Sequence, residues 1–337
     1  MEHLTISMWS LALLVAVALA FDFMNGFHDG ANAISTIVAT GALTPKQAVA
    51  FAAAFNFIAL WVFQLKVAAT IGKGTVDPAL VDHFVIFGAL MGALAWNIIT
   101  WFYGIPSSSS HALVGGLVGA TAAKAGAFTP IIWSGFGKIL IFIIISPMVG
   151  FFIGGMLMVL VAWIFRNSTP HQASKWFRNG QLLAAAAYSL GHGGNDAQKT
   201  IGIIWLLLIT AGLSTTDVST LPMWVVYCRY GAIAGGTYLG GWRIVKTMGS
   251  KITRLNSVSG SCASMGGALS LGLATFAGIP VSTTHTITGA IVGVGTAQDV
   301  KAVRWAVTFN LLVAWVLTIP AAGLIAAVFW YVGRSFL

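Results

Sequence analysis

Residues 104–119 read GIPSSSSHALVGGLVG, and residues 278–293 read GIPVSTTHTITGAIVG. The two stretches align without a gap and share eight of sixteen positions. Each opens with a Gly-Ile-Pro break, continues with a run of hydroxyl side chains, and ends in a Gly-rich apolar arm. A Pro followed by hydroxyl residues stops one helix and caps the next. The segments 84–122 and 258–297 are therefore each expected to form a helical hairpin that dips into a membrane and returns. Two complete spans per segment is the alternative that the spacing leaves open. Working outward, Met91-Gly92 falls in register with Met265-Gly266. Upstream, NGFHDGANA at 25–33 pairs with HGGNDAQKT at 192–200 at nearly the same offset. A long-range repeat of this kind predicts two related halves. They are placed at residues 1–165 and 180–337, joined by a cytoplasmic linker at 166–179.

The composition supplies the solvent. Of 337 residues 58% are hydrophobic and 7% are charged, against about a quarter charged in a soluble domain. Apolar blocks of helix-spanning length recur along the chain. Abundant Gly and Ala with weak alternation argue for helices and against a β-barrel. Long helices are expected near 8–40, 45–70, 130–165, 180–213, 222–243 and 302–333. The N-terminal apolar stretch shows no cleavage pattern and is expected to be the first membrane helix. The net charge of +9 does not indicate nucleic acid, because the basic residues scatter at helix ends and form no stripe. Cys228 and Cys262 have no metal or redox spacing and are expected to pack.

Arg166, Lys175 and Arg178 mark the central connection as cytoplasmic, and Arg243, Lys246, Lys251 and Arg254 mark another. The 214–221 loop has no Lys or Arg and is expected outside. Three crossings per half place the second half upside down relative to the first. The fold class that follows is an all-α integral membrane protein of two inverted-topology repeats. Each repeat has long transmembrane helices and a re-entrant, broken helical hairpin. This is the plan of many secondary transporters.

Asp22, Asn25, Asp29, Asn32 and Thr36 recur at spacings of three and four and share one helix face. His192, Asn195 or Asp196, and Lys199 or Thr200 do the same in the matching helix. A carboxylate at such depth costs about 2.5–3.5 kcal/mol on insertion scales, so it needs a proton, a cation or a partner. An isolated buried Asp is as readily a structural ion pair, for instance with Lys199. Two symmetry-related Asp residues beside a Lys point to a transport site. Ser108, Ser109 and Ser110, and Ser282, Thr283 and Thr284, each open a half-helix. Free N–H groups and the positive dipole end there, beside hydroxyls, make an anion cradle. A single Ser run would be only a capped turn. Two cradles from inverted halves would grip one tetrahedral oxyanion near the bilayer centre. His111 and His285 are expected to bond the hairpin backbone and hold its shape. His28 and His192, beside the Asp motifs, are the candidates for a proton relay. Arg229 lies several residues into a span and is expected to snorkel to the interface; otherwise it is a spare anion ligand.

FDFMNGFHDGANA, SLGHGGNDAQKTIG and GIPVSTTHTITGAIVGVG resemble the duplicated signatures of the inorganic phosphate transporter (Pit) family, most closely its bacterial low-affinity branch. The resemblance runs over nearly the whole chain. It implies a symporter that brings phosphate into the cytoplasm, with phosphate held between the two hairpin tips and the two Asp-bearing helices. Carried over position by position, Asp29 and Asp196 are the coupling residues, to which Asp22 is added from the shared helix face. Asn32, Ser108–Ser110 and Ser282–Thr284 are the phosphate ligands, and Asn195, Lys199 and Thr200 join them from the second signature. Two positions depart from sodium-driven members, which carry Glu where this chain has Asn56 and Asn where it has Lys199. The Lys199 ammonium is expected to take over part of the role of a bound sodium ion, leaving the proton as the coupling ion. The branch also implies that phosphate travels as a neutral complex with a divalent metal. No resident metal or other cofactor is implied, since the chain lacks a fixed His or Cys ligand set.

A sulfate permease of the same fold and a sodium-coupled phosphate symporter are the alternatives. Phosphate keeps a proton that it can donate to a carboxylate, whereas sulfate does not, so Asp29 and Asp196 favour phosphate. A membrane hydrolase is disfavoured, because two equivalent hydroxyl clusters offer no singular nucleophile. The partners expected are inorganic phosphate and the lipid bilayer of the inner (plasma) membrane, crossed several times. A homodimer is the expected assembly, as carriers of this kind often pair.

Overall fold

A computed structural model describes residues 7–68, 74–215, 217 and 221–336. Among the described residues the regular structure is all helix apart from one isolated bridge between Val76 and Ile131. The first half contains α1 (Met8–Ala39), α2 (Pro45–Ile58), α3 (His83–Tyr103), α4 (Ser109–Ala125) and α5 (Trp133–Ile164). The second contains α6 (Pro170–Thr210), α7 (Met223–Leu239), α8 (Ser257–Phe276), α9 (Thr283–Gln298) and α10 (Trp305–Phe336). Four of these, α1, α3, α5 and α10, are long and apolar enough to cross a membrane. Bulky apolar side chains such as Ile141, Ile144 and Phe152 of α5 and Phe309 and Leu324 of α10 are exposed on the outside of the bundle. The buried interior instead holds Asp, Asn, His, Ser and Thr. That arrangement suits a hydrocarbon solvent.

The two broken segments fold as hairpins for the reasons legible in their sequence. α3 stops at Gly104, in the left-handed region at φ 66°, and Gly278 after α8 takes φ 71°; only glycine adopts this turn without strain. Ser108 then caps α4 by accepting from the His111 amide at 3.3 Å, and Ser282 caps α9 by accepting from the His285 amide at 3.2 Å.

Two expectations shift. The 166–179 connection is largely helix: Thr169 and Gln172 form a capping box with Pro170 in the first turn, and α6 runs from there for 41 residues. Only the few residues between Ile164 and Pro170 are left outside α5 and α6. The helix expected over 45–70 ends at Ile58, tightens to a 3-10 turn at Ala59–Trp61, and its far end lies outside the described residues. The Asn56 amide donates to Thr237 Oγ1 at 2.9 Å, and Phe63 turns back to pack on Phe276. Neither contact has a local sequence signal. The 214–221 loop also lies partly outside the described residues.

Contacts recur between corresponding parts of the halves. α5 packs against α8 and α9, while α10 packs against α3 and α4. Each hairpin is therefore braced by a helix of the other half. At these seams backbones touch: a methyl group on Gly115 would sit 2.5 Å from the Ile319 oxygen, and one on Gly289 would sit 2.0 Å from the Pro147 oxygen. Small residues permit such approach between helices. Likewise α1 lies on α7 and α6 on α2. A methyl on Gly26 would meet the Ile233 oxygen at 2.0 Å, and one on Gly193 would meet the Asn56 oxygen at 2.5 Å. Gly26 and Gly193 align when Asp29 is set on Asp196, so Ile233 and Asn56 are equivalent positions.

Candidate functional site

α1 and α6 carry the acidic motifs into the bundle, and both hairpin tips meet them there. Asp29 is buried. Its Oδ2 accepts from Ser109 Oγ at 2.5 Å, and its Oδ1 accepts from Thr284 Oγ1 at 3.4 Å. Asp196 is also buried. Its Oδ1 lies 3.5 Å from Ser110 Oγ and its Oδ2 lies 3.2 Å from Thr283 Oγ1. Each carboxylate is thus met by one hydroxyl from each tip. The tips also touch one another: Thr284 Oγ1 lies 3.0 Å from the Ser107 carbonyl, and its one proton is shared between that carbonyl and Asp29. Asn32 donates to Thr284 Oγ1 at 2.9 Å.

Lys199, one turn on from Asp196, ties the parts together. Its Nζ donates to Asp196 Oδ1 at 2.7 Å, to Ser110 Oγ at 2.6 Å and to the Val281 carbonyl at 2.5 Å. All three ammonium protons are used, on α6 and on both tips. A buried cation so placed offsets part of the charge of two buried carboxylates.

The histidines next to the acids lie within reach of the carboxylates. His28 Nδ1 lies 2.6 Å from Asp29 Oδ1 and its Nε2 lies 3.1 Å from Thr100 Oγ1. His192 Nε2 lies 3.4 Å from Asp196 Oδ2, and its Nδ1 lies 3.1 Å from Asn56 Oδ1. Asp29, His192 and Asp196 present ligand atoms within 4.8 Å of one another, a spacing that fits a cation. The sequence reading missed this grouping. Its signal was the i, i+4 spacing of His192 and Asp196 on one helix face.

Other positions fall elsewhere. Asn195 does not face the carboxylates; its amide donates to Thr275 Oγ1 at 3.0 Å and to the Ile279 carbonyl at 3.3 Å, steadying the second hairpin. Ser108 and Ser282 act as helix caps. Thr200 lies near Asp22, and Asp22 stands two turns before Asp29 on α1, in an ion pair with Arg229. Arg229 does not snorkel: it is fully buried, because a carboxylate in the next helix holds it inside. The rings of His111 and His285 do not fold onto their own hairpins. They meet each other with centroids 4.8 Å apart, and His285 stacks on Trp315 at 3.8 Å.

The Phosphate transporter family matches residues 25–326 of the chain. The chain belongs to that family. Among relatives of this transporter, a protein of Rhizobium meliloti (strain 1021) described as "Probable low-affinity inorganic phosphate transporter" is 56% identical over 94% of this chain and 95% of its own length. The protein of Bacillus subtilis (strain 168) with the same description is 45% identical over 95% of this chain and 96% of its own. A solved structure titled "The sodium-dependent phosphate transporter" matches with a TM-score of 0.88 at 24% identity, covering 98% of this chain and all of the other. That likeness establishes the shared fold of the transporter. Its family and relatives are transporters, and the chain is not an enzyme.

Proposed function

We propose that this transporter imports inorganic phosphate by proton symport, with alternating access around the Asp29 and Asp196 site. The observation that carries the reading is that both hairpin tips converge on both carboxylates, so that one oxyanion set among them would meet donors from each half. The tip residues Ser109, Ser110, Thr283 and Thr284 would turn their hydroxyls to phosphate, aided by N–H groups at the starts of α4 and α9. Asn32 and Lys199 would complete the shell. A phosphate that keeps a proton would donate a hydrogen bond to whichever of Asp29 and Asp196 is ionised, which a sulfate lacks the proton to do.

The halves are read as inverted repeats and the hairpins as re-entrant. The recurrent packing of each hairpin on the other half's long helix supports this, as does the contrast between the basic 243–254 segment and a 214–221 loop that has no Lys or Arg. On this reading the protein crosses the plasma membrane several times, with the starts of α1 and α7 facing outward. Lys199, fixed to Asp196 and both tips, replaces a mobile cation, and protonation of Asp29 or Asp196 drives the cycle. The grouping of Asp29, His192 and Asp196 favours a cargo of metal-complexed phosphate, whose ion those three would meet.

The test is uptake of radiolabelled phosphate into proteoliposomes under an imposed proton or sodium gradient, one at a time. The expected result is uptake driven by protons, stimulated by divalent metal, blocked by arsenate and insensitive to sulfate. Uptake driven by sodium alone, or blocked equally by sulfate, overturns the proposal.

A further inference from the structure

Asp22 and Arg229 make no hydrogen bond to the Asp29 and Asp196 cluster among the described residues, yet both are fully buried and form an ion pair between α1 and α7. The two helices run side by side in the same direction, with Gly26 against Ile233 and Gly30 against Thr237 one and two turns further on. The pair leaves much unsatisfied. Arg229 Nη1 and Nη2, Asp22 Oδ1 and Asn25 Oδ1 have no hydrogen-bond partner among the described residues. Buried polar groups of a native protein are normally paired, and a guanidinium presents five N–H donors in a planar fork. The orphaned atoms are of two kinds, a donor fork and carboxylate or amide acceptors. A tetrahedral oxyanion that still carries a proton satisfies both at once. Its oxygens accept two parallel bonds from Arg229, and its own hydroxyl donates to Asp22.

The repeat supplies an independent argument. Because Gly26 with Ile233 corresponds to Gly193 with Asn56, the equivalents of Asp22 and Arg229 in the other half are Ser189 and Ala52. Neither is charged. Ser189 bonds its own helix, at 2.8 Å from the Ala185 carbonyl, and Ala52 is an apolar core residue. Two inverted halves would otherwise give the two approaches to the site the same lining. The charged pair therefore stands at one end of the central site alone, on the side of Asp29 toward the starts of α1 and α7.

We propose that Asp22 and Arg229 form a second oxyanion station, on the outer approach to the central site, selective for a protonated tetrahedral anion. Incoming hydrogen phosphate takes the fork of Arg229 from Asp22 and donates its hydroxyl to the released carboxylate; no covalent bond changes. This rests on the outward orientation and phosphate specificity proposed above.

Initial phosphate uptake and its inhibition by sulfate are measured in proteoliposomes for the unaltered protein, Arg229→Lys, Asp22→Asn and the double variant Asp22→Asn/Arg229→Gln. Arg229→Lys keeps the charge but loses the fork, and the phosphate KM is expected to rise about tenfold or more with a much smaller change in maximal rate. Asp22→Asn removes the acceptor that rejects sulfate, and sulfate is expected to inhibit at concentrations at least tenfold lower than for the unaltered protein. Should Arg229→Lys not fold, the double variant decides: loss of both charges leaves a merely structural pair without a buried orphan, so an unchanged KM there overturns the station and a raised KM supports it. Unchanged sulfate inhibition in Asp22→Asn also overturns it. If the unaltered protein itself shows no phosphate uptake, the functional reading fails instead, and the two failures are distinct.

Discussion

Replacing Lys199 by Asn removes the one cation that touches Asp196, Ser110 and the Val281 carbonyl together. Its hydrogen bonds to them are 2.7, 2.6 and 2.5 Å long, and both members of the ion pair with Asp196 are buried, at 2% and 0% side-chain exposure. Solvent therefore does little to screen them. Removing one partner of a buried pair costs about 3–5 kcal/mol, because the other charge is left uncompensated. In the variant Asp196 would keep only Thr283 at 3.2 Å, Ser110 at 3.5 Å and His192 at 3.4 Å. A sodium ion entering beside it would restore much of the loss: at a hundredfold excess over its Kd, binding returns about 2.7 kcal/mol. The assay is thermal unfolding of purified Lys199→Asn in sodium chloride against choline chloride at equal ionic strength, followed by uptake under each gradient. The variant is expected to be stabilised by sodium and to acquire sodium-dependent uptake, while the unaltered protein shows neither. Equal stability in both salts with an unchanged cation profile refutes the idea that Lys199 does the work of a bound ion.

Asp29→Asn and Asp196→Asn are each expected to abolish proton-coupled uptake while the protein elutes as a folded species; coupled transport by either variant removes that residue from the coupling step. Ser109→Ala deletes a bond to a carboxylate, worth about 1.5–3 kcal/mol, and Thr284→Ala deletes the matching hydroxyl of the other tip. Both are expected to weaken phosphate binding measured by calorimetry, and an effect from only one tip contradicts a two-sided cradle. Gly289→Ala would press a methyl to 2.0 Å from the Pro147 oxygen, and overpacking of this kind costs about 1–3 kcal/mol. A lowered unfolding temperature is expected, and an unchanged one would mean that the seam between α5 and α9 is looser than described.

Where the sequence carried a local physical signal, the fold could be read from it. Gly104 and Gly278, the Pro after each and the hydroxyl caps placed both hairpin turns. Asp29 and Asp196 were found because a charge in an apolar run is conspicuous. What stayed hidden depended on distant partners. Nothing near Ile58 marks the end of α2, whereas Gly240 and Gly241 mark the end of its counterpart α7. The burial of Arg229 could not be read without knowing that α1 delivers Asp22 to it. Capping residues at Thr169 and Gln172 were in plain view, and the polar composition of 166–179 outweighed them. The pairing of His111 with His285 depends on the two tips coming together, which periodicity along either segment does not encode.

The crossed bracing of the hairpins has a consequence for biogenesis. α3 and α4 leave the ribosome long before α10, the helix against which they close, is made. Until α10 is made, the glycine seam of the first hairpin has no mate, and a chain that lacked α10 would leave that seam open to lipid or to the membrane quality-control machinery. Contacts so distant in sequence fold slowly. The two halves are therefore bound to mature together, and severing the polypeptide between α5 and α6 should yield pieces that become functional only when both are present in one membrane.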